Sequence, residues 1–273
     1  MGLSSREYKL MLDTDRFVGD VGTCRPRVSD FWADICEKLG DEVDAKGKLD
    51  VLKPKKQRDV FFLDTEGTDL YRLSNLVFRM RRPLGSDGPW STTLKFRHGD
   101  RLLAAAQTFH SGDDEDIKFE EDVKAMPPAG TPRFWALFSR SVEAEFDDEA
   151  EPATVGDCLD PYEDFGKISL PPRNAKVFRV GDLRIREHVF EGGRLKLSED
   201  VSAECALILW WNEKSHPNPA AAEFSFRFDL EDGEASAGAV RNAWAAMTIL
   251  CASPWVNPTG PTKTALVYGA AEV

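Results

Sequence analysis

In the stretch "LVFRMRR" (76–82), Arg79 and Arg81 stand two residues apart. In an extended strand, side chains alternate between faces, so residues i and i+2 point the same way about 7 Å apart. Two guanidinium groups held like this repel unless an anion lies between them, and guanidinium matches phosphate oxygens with paired hydrogen bonds. The parity recurs in "STTLKFRH" (91–98), which sets Thr93, Lys95 and Arg97 against Leu94 and Phe96. Carboxylates share the pattern elsewhere. Glu7 and Lys9 oppose Tyr8 and Leu10, and Lys118, Glu120 and Asp122 oppose Ile117, Phe119 and Val123. In "AEFSFRFDL" (222–230), Glu223, Ser225 and Arg227 oppose Phe224, Phe226 and Phe228. In "LRIREHVF" (183–190), Arg184, Arg186 and His188 oppose Leu183, Ile185 and Val189. Any one of these strands reads as the wet face of an antiparallel sheet. Taken together, with cations on the middle strands and carboxylates on the first, fifth and last, they read as a cationic lumen. There the carboxylates would share Mg²⁺ or Mn²⁺ with phosphate oxygens.

Positioning such a set requires a β-dominated chain. Alternation predicts strands at 6–12, 58–65, 76–82, 91–98, 116–123, 175–180, 183–190, 205–212 and 222–230, with 264–269 as a further candidate. Helices are predicted at 25–40, at 131–146 (opened by Thr131 and Pro132) and over the Ala-rich 233–253. Acidic or Pro/Gly-rich joints lie at 41–57, 99–115 and 147–173. The expected class is α+β, one domain over 1–273 with 147–173 as the one candidate internal boundary. Helices would cover the Phe224, Phe226 and Phe228 face and leave the Glu223 and Arg227 face inside.

The chain has 273 residues, 42% of them hydrophobic, and a formal charge of −12, which argues against bulk attraction to nucleic acid or anionic lipid. A basic pocket inside so acidic a protein is therefore a local feature. The five cysteines are scattered without a CxxC and read as reduced thiols. The four histidines form no HxH or HExxH pair. No apolar leader or membrane-length run is present, so a cytoplasmic protein is expected.

The ordered set of segments resembles the CYTH proteins, or triphosphate tunnel metalloenzymes. "QRDVFFLDTEGTDLYRLSNLVFRMRR" (57–82), "TTLKF", "KFEED", "AEFSF" and "GPTKTALVY" are similar to the family's segments in order and spacing. The resemblance implies a closed antiparallel β-tunnel of eight strands with helices outside. It implies Lys9, Arg79, Arg81, Lys95 and Lys263 as phosphate ligands, with Arg58, Arg97, Arg184 and Arg186 added on face and charge. It implies Glu7, Glu120, Asp122 and Glu223 as Mg²⁺ or Mn²⁺ ligands. Glu7, Lys9, Arg79 and Arg81 would form the catalytic group, acting on a small polyanionic phosphate substrate. The chain departs from the family at two acidic positions, occupied by Ser5 and Ser225, which implies fewer metal ligands and slow turnover. After the sixth strand the family's acid corresponds to Glu187 or His188. The expected activity is hydrolysis of a triphosphate. The alternatives are a binding module without fast chemistry, and a cyclase acting on ATP.

Overall fold

The alternating segments pair edge to edge into one sheet. The computed structural model describes residues 2–40, 43, 52–112, 117–129, 131–146 and 151–269, with backbone alone at 127–129 and 131–133. The strands are β1 (Ser5–Met11), β2 (Lys53–Asp64), β3 (Leu76–Pro83), β4 (Trp90–His98) and β5 (Lys118–Ala129). They continue as β6 (Thr131–Phe146), β7 (Phe178–Arg179), β8 (Ile185–Lys196), β9 (Ser202–Asn212) and β10 (Ala221–Asp229). Hydrogen bonding runs β3-β4-β6-β5-β1-β10-β9-β8-β2, and a β2–β3 pairing closes the ring. The barrel therefore has nine strands, not the eight expected. A ring of nine cannot alternate direction throughout, and the one parallel neighbour pair is β1 with β5. β7 pairs only with the end of β2 and stays outside the ring.

Six helices are described: α1 (Val21–Leu39), α2 (Asp69–Arg72), α3 (Arg101–Ala105), α4 (Val155–Leu159), α5 (Ala237–Cys251) and α6 (Lys263–Tyr268). α1 starts earlier than predicted because Asp20 caps it, its side chain accepting from the Thr23 N–H at 2.9 Å. α1 and α5 cover the outer face of β1, β9 and β10. Phe31, Trp32, Ala243 and Met247 pack with Tyr8, Leu207, Phe224, Phe226 and Phe228 in one core. A second core lies over β2, β3 and β4, where Phe61, Phe78, Met80, Leu94 and Phe96 meet α3 and α4. Val155, Cys158, Leu159 and Tyr162 belong to it, so this part of the 147–173 stretch packs against the barrel. Residues 147–150 of that stretch lie outside the described residues, as do the first residues of the acidic 113–122 run.

Two sequence expectations reverse. Residues 131–146 form β6, not a helix. Both faces of β6 meet protein or cavity wall, with Trp135 and Leu137 inward and Phe138 and Val142 outward, so its apolar residues mimic a helical stripe. Residues 264–269 belong to helix α6, not a strand. Thr262 caps it by accepting from the Ala265 N–H, and Gly269 ends it in the left-handed conformation. The 175–180 segment contributes only the two-residue β7.

Candidate functional site

Strand parity carries the charged side chains inward as expected. Glu7, Lys9, Arg79, Arg81, Lys95, Arg97, Asp122, Glu223 and Lys263 all line one cavity of about 230 Å³. Lys124 joins them, so seven cations face three carboxylates on this wall. The lumen is thus cationic inside a chain of charge −12.

Cation and carboxylate positions follow from register. Glu7 lies opposite Asp122 across the parallel β1–β5 pair. Lys9 Nζ sits 3.0 Å from Glu7 Oε2 and 3.0 Å from Asp122 Oδ1. Burial opposes the Lys9 charge, but Asp122 and then Glu7 outweigh it and raise its pKa. Lys95 Nζ lies 3.5 Å from Glu120 and 3.7 Å from Asp122, and Arg97 Nη2 lies 3.7 Å from Asp122. Burial would lift the Asp122 carboxyl, yet Lys9, Lys95 and Arg97 hold it well below the usual carboxylate range. For Lys95 burial wins, and its pKa is lowered. Glu120 is nearly buried, accepts a hydrogen bond from Ser5 Oγ at 3.3 Å and lies 3.9 Å from Arg227. Lys263 comes from outside the sheet. As the first residue of α6 it places Nζ 2.9 Å from Glu223 and 5.4 Å from the Trp210 ring centre. Arg97 ties the same helix to the barrel by donating to Thr264 Oγ1 at 3.2 Å.

Glu187 is the site residue that the sequence signalled least clearly. It is fully buried on the inner face of β8. Arg58 Nε donates to it at 2.8 Å and Trp210 Nε1 at 2.9 Å, and Arg81 Nη2 lies 3.8 Å away. Burial alone would raise its pKa, but Arg81, Arg58 and Lys263 hold it well below the usual range. Arg58 therefore faces the lumen as an ion-paired residue. Trp210, to which sequence gave no role, orients Glu187.

Arg79 differs from the other cations. Among the described residues it forms no ion pair. Its one hydrogen bond among the described residues, to Thr93 Oγ1, measures 3.2 Å, and its buried Nε has no partner among them. Burial and the neighbouring Arg81 push its pKa well below the ordinary value. A guanidinium does not deprotonate in a protein. Its charge, offset only in part by the more distant Glu187 and Glu143, makes the site receptive to an anion.

Arg184 and Arg186 do not belong to the tunnel. Pairing of β2 with β8 sets Arg58 opposite Glu187 and Asp59 opposite Arg186, so Arg186 points outward. Arg184 Nη2 binds Asp59 Oδ2 at 2.7 Å, and both arginines line a separate outer cleft with Trp211 and His216. His188 is also external, edge-on to Trp211 with ring centres 5.2 Å apart. The inner face of β8 is Ile185, Glu187 and Val189. With apolar residues on both faces, charge alone marked the wrong one.

No protein-family model matches the chain, and no curated protein matches it in sequence. Among the described residues, no three His, Cys, Asp or Glu side chains group as a ready-made metal cage. The adjacent Glu7 and Asp122 do fit a smaller demand. Mg²⁺ commonly takes one or two carboxylates and completes its shell with substrate phosphates and water. All four carboxylates are ion-paired: Lys9 bridges Glu7 and Asp122, Lys95 holds Glu120 and Lys263 holds Glu223. Among the described residues, no helix is long and apolar enough to cross a membrane.

Proposed function

We propose that the tunnel binds the triphosphate group of a small molecule, and that the chain is a divalent-metal-dependent triphosphatase of the CYTH class. Arg79, which has no ion pair among the described residues, beside Arg81 in a net-positive cavity carries this reading. Arg79, Arg81, Lys95, Arg97 and Lys263 bind phosphate oxygens and offset charge that builds up as a P–O bond breaks. Lys9 spans the carboxylate pair and can turn its ammonium toward the incoming anion. Glu187 fixes Arg58 and Arg81, and the closed wall limits access of bulk water. Mg²⁺ or Mn²⁺, held by Glu7 and Asp122 with the phosphates, would supply further charge neutralisation. The free cysteines suit a reducing cytoplasm.

The second reading is binding without turnover. It is favoured by Ser5 and Ser225 at the two acidic motif positions, and by the ion pairing of Glu7, Glu120, Asp122 and Glu223. Phosphate release from tripolyphosphate, ATP and thiamine triphosphate with Mg²⁺ or Mn²⁺ separates the two. The triphosphatase reading expects release from at least one, abolished by Arg79→Ala with Arg81→Ala. Binding without release supports the second reading. Neither binding nor release rejects both.

A further inference from the structure

Three side chains compete for the two oxygens of Glu187. Arg58 approaches Oε1 with Nε at 2.8 Å and Nη2 at 2.5 Å. Trp210 Nε1 donates to Oε2 at 2.9 Å. Arg81 Nη2 stops 3.8 Å from that same oxygen, beyond hydrogen-bond reach. The buried Nε of Arg81 has no partner among the described residues. A guanidinium with five donors beside a fully buried carboxylate would ordinarily close on it as a fork, as Arg58 does. Strand order explains why Arg81 does not. The ring runs β3-β2-β8-β9, so Arg58 and Arg81 reach Glu187 from one side and Trp210 from the other. Register sets Arg58 and Trp210 directly opposite Glu187, whereas Arg81 stands one strand further off. The indole therefore draws Oε2 toward β9 and away from Arg81. Trp210 is itself held firmly, buried in one cluster with Phe62, Ile185 and Val267. Arg81 is left close enough to feel the charge of Glu187 while its donors stay unspent, and it lines the cavity beside Arg79.

We propose that Trp210 is a positioning residue: by occupying the second oxygen of Glu187, its N–H keeps the Arg81 donors free for the phosphate oxygens of the ligand. This rests on the triphosphate reading of the same tunnel. Without the N–H, the carboxylate turns toward Arg81, closes the 3.8 Å gap and withdraws one cation from the site. The test is calorimetric titration of the full chain with tripolyphosphate, comparing Trp210 with Trp210→Phe in wild-type, Arg81→Met and Arg79→Met backgrounds. Phenylalanine removes the N–H and keeps an aromatic face for Lys263, whose Nζ lies 5.4 Å from the indole ring centre. Trp210→Phe should weaken tripolyphosphate binding about tenfold, the loss of one charge-assisted hydrogen bond. The same change should cost less than about twofold in Arg81→Met, yet the full loss in Arg79→Met. A role in packing alone would weaken binding equally in all three backgrounds, and that result overturns the proposal. Unchanged affinity in Trp210→Phe also overturns it. A second measurement needs no variant to fold. In the wild type carrying isotope-labelled tryptophan, the Trp210 indole N–H should stay protected from deuterium exchange when tripolyphosphate is saturating. Exchange that speeds up on binding means that the indole releases Glu187, which overturns the proposal. A wild type that binds no tripolyphosphate removes the triphosphate reading, and this inference with it.

Discussion

Replacing Arg79 with methionine should stabilise the unliganded protein while destroying its response to phosphate. The side chain lies on the same face as Arg81, about 7 Å away, where two cations repel by about 2 kcal/mol at an effective dielectric constant near 20. Glu187 offsets Arg81 at 3.8 Å, but no carboxylate pairs with Arg79 among the described residues. Losing the hydrogen bond to Thr93 costs about 1 kcal/mol, and methionine keeps most of the apolar stem in place. The net expectation is a gain of about 1 kcal/mol, or roughly 2–4 °C in Tm for a chain near this size. Thermal unfolding at low salt, with and without tripolyphosphate, reads both effects. The wild type should gain several degrees with ligand by mass action, and Arg79→Met should gain little. A fall of several degrees without ligand, together with an undiminished ligand shift, would refute the claim that Arg79 is an anion-binding cation only partly offset by the carboxylates around it.

Glu187→Ala should behave in the opposite sense, losing about 3–5 kcal/mol in urea unfolding because it strands Arg58 and Arg81. Tripolyphosphate should then raise Tm more in that variant than in the wild type, since the anion replaces the missing charge. Folded-state pKa values of Asp122 and Glu187 are depressed, so their contribution is complete above the unfolded carboxylate range near pH 4 and is lost as pH falls through the folded values. Acid unfolding of Glu187→Gln followed by circular dichroism should show a shallower pH dependence than the wild type; an identical slope contradicts this. Ser225 lies opposite Lys9, and its cavity also touches Glu7, so Ser225→Glu adds a third carboxylate to that group. Mn²⁺ should raise the Tm of this variant more than that of the wild type, and equal shifts would show that the serine position does not limit metal binding.

Where one face is charged and the other apolar, alternation alone gave the strand and its orientation. Phe224, Phe226 and Phe228 go under α1 and α5, and Arg79, Arg81, Lys95 and Arg97 go inside. That logic fails where both faces are buried. β6 carries Trp135 and Leu137 inward with Phe138 and Val142 outward, which erases the period of two. β8 inverts it, because Ile185 and Val189 fill the lumen wall while Arg184 and Arg186 meet solvent. Glu187 lay within that run, and only its pairing with Arg58 across β2 identifies its role. Ring closure was equally hidden. The parallel β1–β5 contact joins Glu7 to Asp122 across more than a hundred residues of sequence, and no local pattern encodes it. Lys263 was legible through the family resemblance, whereas the α6 helix that carries it was signalled by Thr262 and Gly269, a cap and stop at its two ends.

A basic tunnel inside a net-negative chain should bind a short polyphosphate through its buried cations. Isothermal titration of the wild type with tripolyphosphate at two salt concentrations, beside Arg79→Met with Arg81→Met, tests it most directly. The expected result is one site per chain, affinity that falls as salt rises, and loss of the signal in the double variant. Absence of binding to the folded wild type, or binding that survives in the double variant, would contradict it.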